Sequence, residues 1–215
     1  IIASGKGREA LIIDPVIENT DQYIKILKKL DLKLVKVMDT HIHADHISGL
    51  NELSKRTKCT KIMGEKSSSE VLDIRVKDNE KVKIENIELI SMYTPGHTDC
   101  SYSFLMNDRV FTGDTLLING TGRTDFQSGS SLDAYNSLFN KLLKLPEKTL
   151  VFPAHDYNGK KYSTIESEKH NNPRLQVNSA DEYAEIMNNL DLENPKMMDI
   201  AVSANVKGFT LDQIN

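Results

Sequence analysis

Residues 40 to 46, Thr40-His41-Ile42-His43-Ala44-Asp45-His46 or THIHADH, gather three of the chain's six histidines and one aspartate. Neutral imidazole and carboxylate suit borderline divalent ions such as zinc and iron, whereas a structural zinc site more often recruits thiolates. Cys59 and Cys100 stand away from this cluster and match no CxxC spacing. Positions 41, 43, 45 and 46 do not share one helix face, so the pattern reads as a loop wrapped around an ion and not as a helical HExxH pair. The flanks say where that loop sits. Leu34 to Met38 reads as a buried strand ending at Asp39-Thr40, and a helix follows over Asn51 to Arg56. A ligand loop at the C-terminal end of a strand is where α/β proteins build their sites.

Working outward, Ala10 to Ile13 is a short apolar run closed by Asp14-Pro15, a strand and its stop. Thr20 or Asp21 is placed to cap a helix with Ile24, Leu27 and Leu30 on one face. Lys81 to Thr94 and Ser101 to Phe111 each hold two alternating runs, about Glu85-Asn86 and Asn107-Asp108, and read as hairpins. A helix over Ser131 to Lys144 turns Leu132, Tyr135, Leu138, Phe139, Leu142 and Leu143 toward a core. Thr149 to Phe152 is the next strand, and two helices, Thr164 to His170 and Ala180 to Leu190, flank Asn171-Asn172-Pro173. Ser4-Gly5-Lys6-Gly7 lacks the rest of a phosphate-binding pattern and reads as a hairpin turn. No Gly-, Pro- or Ser-rich linker divides the chain, so the expectation is one α/β (α+β) domain over residues 1–215.

Composition narrows the function classes. The formal charge is −4 and Lys and Arg are spread along the chain, which offers no electrostatic footprint for nucleic acid. No run of about 18 apolar residues is present, so no membrane span is expected. Two cysteines cannot build a secreted disulfide framework and favour a reducing compartment. The chain opens at Ile1 and not at methionine, and the first strand is expected to be cut short.

Three further segments each supply one metal-type side chain beside a glycine or proline at a strand end: Pro95-Gly96-His97, Gly113-Asp114 and Pro153-Ala154-His155. Five of six histidines thus fall in strand-end turns, while His170, in the charged stretch Glu166 to His170, reads as a solvated helix residue. Cys100 reads as a buried small residue at the head of a strand. These residues by themselves allow one ion or two.

The order HxHxDH, PGHT, FTGD, PAHD resembles the metallo-β-lactamase superfamily, which implies a four-layered αβ/βα sandwich with the metal site at one edge of the sheets. A narrower likeness lies within it. GRTDFQ at 122 to 127, PAHDY at 153 to 157, NNPRL at 171 to 175 and the tail from Met198 through Ala201-Val202 to Ala204-Asn205 are similar to the persulfide dioxygenases, and the likeness runs from Ala10 to Gly208. That resemblance implies a single ferrous iron, Fe(2+), held by His41, His97 and Asp114, with about three positions of an octahedral ion open for a sulfur ligand and dioxygen. The implied reaction oxidises glutathione persulfide with O2 to sulfite and glutathione. His43, Asp45, His46 and His155 would then line the pocket, orienting ligands and tuning the iron. Glutathione carries carboxylates, so a cation is expected nearby. Arg123 is the first choice, against a loop-bracing role through Asp125, and Tyr157 is the weaker second. The implied partners are glutathione persulfide and O2, a homodimer and, with no rhodanese segment in this sequence, a separate sulfurtransferase. The implied location is cytoplasmic in a bacterium and the mitochondrial matrix in a eukaryote. The main rival is a glyoxalase II-type hydroxyacylglutathione hydrolase, in which a binuclear site activates a hydroxide on a thioester. A non-catalytic metal protein with a closed ion is the rival from another class.

Overall fold

The apolar run that ends at Met38 is a strand in the computed structural model, which describes residues 1–156, 159–195 and 197–214. These residues fall into two compact units, one of Ile1–Val76, Lys81–Leu89 and Glu193–Asn215, the other of Lys77–Glu80 and Ile90–Leu192.

The first unit is built on β1 (Ile2–Ala3), β2 (Glu9–Ile13), α1 (Thr20–Lys29), β3 (Lys33–Met38), α2 (Leu50–Thr57), β4 (Thr60–Gly64) and β5 (Ile74–Val76). The sheet order is β1-β2-β3-β4-β5, and every pairing after the antiparallel β1–β2 hairpin is parallel. Parallel strands need crossovers, which α1 and α2 supply between β2, β3 and β4. The central strands carry near-continuous apolar runs because both their faces are covered: Ala10, Leu11, Ile12, Val37, Met38 and Ile62 are buried. The segment 39–49 that follows β3 carries THIHADH and is irregular backbone. It is pinned at its far end by the Gly49 N–H, which donates to Pro15 O at 2.6 Å, and by an isolated bridge between Val16 and Ser48.

A six-stranded sheet has the order β13-β12-β9-β8-β7-β6, with β6 (Lys81–Ile84), β7 (Ile87–Tyr93), β8 (Tyr102–Leu105), β9 (Arg109–Gly113), β12 (Leu150–Pro153) and β13 (Ser163–Thr164), of which β8, β9, β12 and β13 belong to the second unit. A separate two-stranded ribbon pairs β10 (Leu116–Leu117) with β11 (Gly120–Thr121). Both expected hairpins are present, with Glu85 at φ 46° in the turn of the first. Strands β7, β8 and β9 are antiparallel, and β12 runs parallel to β9 after the crossover helix α3 (Ser131–Asn140). Beyond β13 come α4 (Ile165–Asn171) and α5 (Ala180–Asn188), and Ser130, Thr164 and Ser179 cap the three helices by accepting from backbone amides. Their core joins Val110, Leu138, Leu142, Val151, Ile165 and Tyr183, each large side chain contributing about 1.5–3 kcal/mol of transfer free energy.

Four local expectations need correction. Thr20 lies inside the helical turn, where its hydroxyl donates to Ile17 O at 2.7 Å, because a short 3-10 turn over Ile17–Asn19 precedes α1. The helix over Ser131 to Lys144 stops at Asn140 and continues as a 3-10 turn, Leu142–Lys144, and Leu132 is 58% exposed in its first turn. The helix expected over Ala180 to Leu190 ends at Asn188. The tail forms α6 (Met198–Lys207), a helix that returns to the first unit, where Ala201 and Ala204 pack on Ile17 and Ile47. Its small residues permit that approach, and their weak periodicity is why no helix is read there.

Candidate metal centre

The loop after β3 is wired from the end of β2. Asp14 sits there at φ 48° and accepts from the Thr40 N–H at 2.7 Å through Oδ1 and from the Thr40 hydroxyl at 3.0 Å through Oδ2. Because that hydroxyl proton is spent on the carboxylate, the Thr40 oxygen accepts from His41 Nδ1–H at 3.0 Å. His41 is thereby held as the tautomer whose Nε2 carries a lone pair. Asp14 Oδ1 also meets His43 Nε2 at 3.2 Å. His41 and His43 are buried, with ring centroids 4.2 Å apart. Asp45 Oδ2 meets His46 Nδ1 at 3.0 Å.

Electrostatics follow from this wiring. Burial alone would push His43 down, but the Asp14 carboxylate, aided by Asp39 and Asp45, overrides it and raises the imidazole to about 9. Burial pushes Asp39 up to about 7, with His43 pulling the other way. Burial also acts to raise Asp14, and its contacts with His43, His41 and the Thr40 amide outweigh it, so that carboxyl is lowered.

The residues of the second unit are placed by close backbone approach. Gly96 has φ 138°, and a Cβ there would lie 2.3 Å from the backbone of Ala134, so α3 packs directly on the turn that presents His97. His97 Nδ1 donates to Arg123 O at 2.8 Å; a carbonyl can only accept, which leaves Nε2 as the unprotonated nitrogen. That Nε2 lies 3.7 Å from Asp114 Oδ2. The other oxygen, Oδ1, meets His155 Nδ1 at 2.8 Å. Gly122 is obligatory at its position: a Cβ would fall 2.2 Å from Asp114 O and 2.9 Å from the His97 ring.

Among the described residues of the first unit, His43, Asp45 and His46 form one group whose ligand atoms lie within 4.8 Å of one another, and Asp14, Asp39 and His43 form another. Imidazole and carboxylate are the donor chemistry that suits a divalent ion such as iron or zinc, and each unit carries both. His43 Nδ1 is buried and makes no hydrogen bond, with Asp45 Oδ1 at 3.9 Å.

Arg123 forms a two-pronged pair with Asp125, Nε to Oδ1 at 2.6 Å and Nη2 to Oδ2 at 2.5 Å, and its guanidinium lies 4.5 Å from the Phe126 ring centroid. The bracing contact is thus present. Tyr157 lies outside the described residues. His170 is exposed and Cys100 is buried, as read from the sequence. Sequence reading passed over Asp14, which looked only like a strand stop, and Arg174. The latter lines a cavity of about 170 Å³ with His155, Asp156, Ile118 and Asn119. Arg174 also donates to Thr121 O, and desolvation lowers its pKa. The NNPRL motif was the available signal for it. Among the described residues no helix is long and apolar enough to cross a membrane.

Comparison with known proteins gives a consistent result. The Metallo-beta-lactamase superfamily profile matches residues 1–83 and 71–155. The chain is 39% identical over 210 residues to "Persulfide dioxygenase ETHE1, mitochondrial" from Mus musculus, covering 96% of this chain and 82% of that protein. It is 32% identical over 184 residues to a hydroxyacylglutathione hydrolase from Dictyostelium discoideum, covering 80% and 67%. The crystal structure of ETHE1 from Myxococcus xanthus superposes with a TM-score of 0.92 at 43% identity, covering 95% of this chain and 91% of that one. The α/β fold expected from the motif order is the one the Myxococcus xanthus structure has.

Proposed function

Since the chain belongs to the metallo-beta-lactamase superfamily, and within it to the persulfide dioxygenases, we propose that it is an iron-dependent enzyme converting glutathione persulfide, O2 and water to glutathione, sulfite and two protons. The observation that supports this reading is that both expected histidine ligands are braced through Nδ1, His41 on the Thr40 hydroxyl oxygen and His97 on Arg123 O; with Asp114 they are proposed to hold the ion, as the family likeness implies. Two imidazoles and one acid would hold a single ion per chain, a donor set suited to redox-active iron. When bound, ferrous iron supplies the redox chemistry that these side chains lack.

The chain's own residues do the rest. His155 orients Asp114 through its Nδ1 contact. Asp45 steadies His46, and Asp14 holds His43, keeping a proton on its Nε2. Arg174, beside His155 in a cavity, and Arg123, on the loop that holds His97, are the cations proposed to receive the glutathione carboxylates. Tyr157 is proposed as an additional contact to the peptide. A homodimer and a separate sulfurtransferase donor belong to the same proposal, as does a location in the mitochondrial matrix or, in a bacterium, the cytoplasm.

A second reading has a specific support: the donor group His43, Asp45 and His46 could hold a second ion, and a hydroxyacylglutathione hydrolase is among the relatives. One experiment separates the two. Protein reconstituted anaerobically with ferrous iron is given glutathione persulfide in an oxygen electrode, with a glutathione thioester assayed in parallel and His97→Ala as control. Oxygen uptake with sulfite release at one iron per chain, abolished in His97→Ala, is expected. Thioester cleavage at two ions per chain without oxygen uptake would establish the hydrolase instead.

A further inference from the structure

We infer that Asn205, on α6, is a positioning residue for the metal-ligand loop, holding the backbone of His43 to Ser48 in the shape that presents the loop's side chains. The segment 39–49 is irregular apart from the bridge at Ser48, so its backbone is shaped by bonds to groups outside a regular helix or sheet. Asn205 bonds three of the segment's backbone groups from a distant part of the chain. Its Nδ2 donates to His43 O and to His46 O, each at 2.9 Å, and its Oδ1 accepts from the Ser48 N–H at 2.8 Å. Two carbonyls and one amide dictate which end of the carboxamide is nitrogen, so the orientation is unambiguous.

The two carbonyls bracket Asp45, and fixing them fixes the pitch of the chain across three of the four histidine and aspartate positions of the motif. Packing does not require this. Asn205 is only 8% exposed, while the apolar packing of α6 on Ile17 and Ile47 is made by Ala201 and Ala204. Burying a carboxamide is costly unless its hydrogen bonds are all made. What the amide adds is direction, delivered to the loop's backbone. The same tail is tied elsewhere by contacts that do not touch the loop: Asn51 Nδ2 donates to Gly208 O at 2.5 Å, and the Glu70 N–H to Val206 O at 2.8 Å. Docking and positioning are therefore separable by substitution.

The inference rests on the loop carrying a metal ion, and the test distinguishes the two. Cobalt(II) is titrated into the full chain, and its affinity and visible ligand-field bands are recorded for the unsubstituted protein, Asn205→Asp, Asn205→Ala and Asn51→Ala. Asn205→Asp keeps size and the acceptor for Ser48 but sets a carboxylate against two carbonyls. Both Asn205 variants are expected to bind cobalt about tenfold to a hundredfold more weakly, with displaced bands. Asn51→Ala should bind with unchanged affinity and bands. Wild-type affinity and spectrum in a folded Asn205→Asp, or an equal loss in Asn51→Ala, would overturn the inference. No cobalt binding by the unsubstituted chain would instead remove the metal reading beneath it. Should the Asn205 variants fail to fold, amide exchange in the unsubstituted protein decides: Ser48 should be protected well beyond an open loop amide, and exchange at open-loop rates would refute the clamp.

Discussion

The loop after β3 in the first unit and the turns that carry His97 and Asp114 in the second are held in different ways. The loop after β3 is contiguous in sequence and wired by polar groups: Asp14 on Thr40 and His43, and Asn205 on the loop backbone. His97 and Asp114 come from separate turns and are placed mainly by steric approach, Gly96 beneath α3 and Gly122 against the His97 ring. The lesson concerns vulnerability. A loop held by charge and hydrogen bonds answers to pH and to isosteric polar changes, whereas turns held by contact answer to volume.

The largest test of that contrast is Gly96→Ala. A methyl group 2.3 Å from the Ala134 backbone, at φ 138°, forces α3 away, and a loss of about 3 kcal/mol is expected in urea unfolding. A cost below about 1 kcal/mol would mean the turn is softer than its packing implies. Gly122→Ala is expected to fold but to displace His97, with metal affinity falling about tenfold to a hundredfold by titration. Unchanged affinity would break the claim that volume governs these turns.

On the polar side, pH is the probe. His43 is raised above its unfolded value, so the stability it contributes to the metal-free chain is fully present below about 6.5 and is lost as pH rises through about 9. Melting temperature measured without metal should fall across that window, and in Asp14→Asn the slope should flatten. A flat profile in the unsubstituted chain would show that Asp14 does not hold the proton on His43. The smallest stability effect belongs to Arg123→Lys. Its partner Asp125 is half exposed, so stability should change by no more than about 1 kcal/mol. If Arg123 also receives a glutathione carboxylate, KM for the persulfide should rise with kcat retained; an unmoved KM would leave loop bracing as its role.

Several features were legible before any coordinates. The strand-loop-helix setting of THIHADH, both hairpins and the strand-end placement of His97, Asp114 and His155 follow from local periodicity and from turn residues, which act over a few positions. The residues that escaped are those whose meaning depends on a partner far along the chain. Asp14 reads as a strand stop until Thr40 and His43 are beside it. Gly122 reads as a flexible link until the His97 ring fills the space a side chain would take. Asn205 lies on a helix whose small residues give almost no amphipathic signal, at separations of 157 to 162 residues from its bonding partners.

The sequence alone determined which side chains were available for chemistry and which strand ends would carry them, because hydrophobic period and turn propensity are local properties of the chain. Only the tertiary structure decided how those side chains are aimed: which nitrogen of each histidine keeps its lone pair, which carboxylate carries an altered proton affinity, and which glycine is compulsory. Tautomer, pKa and steric allowance are set by groups within a few ångströms in space, and the chain brings those groups together only when it folds.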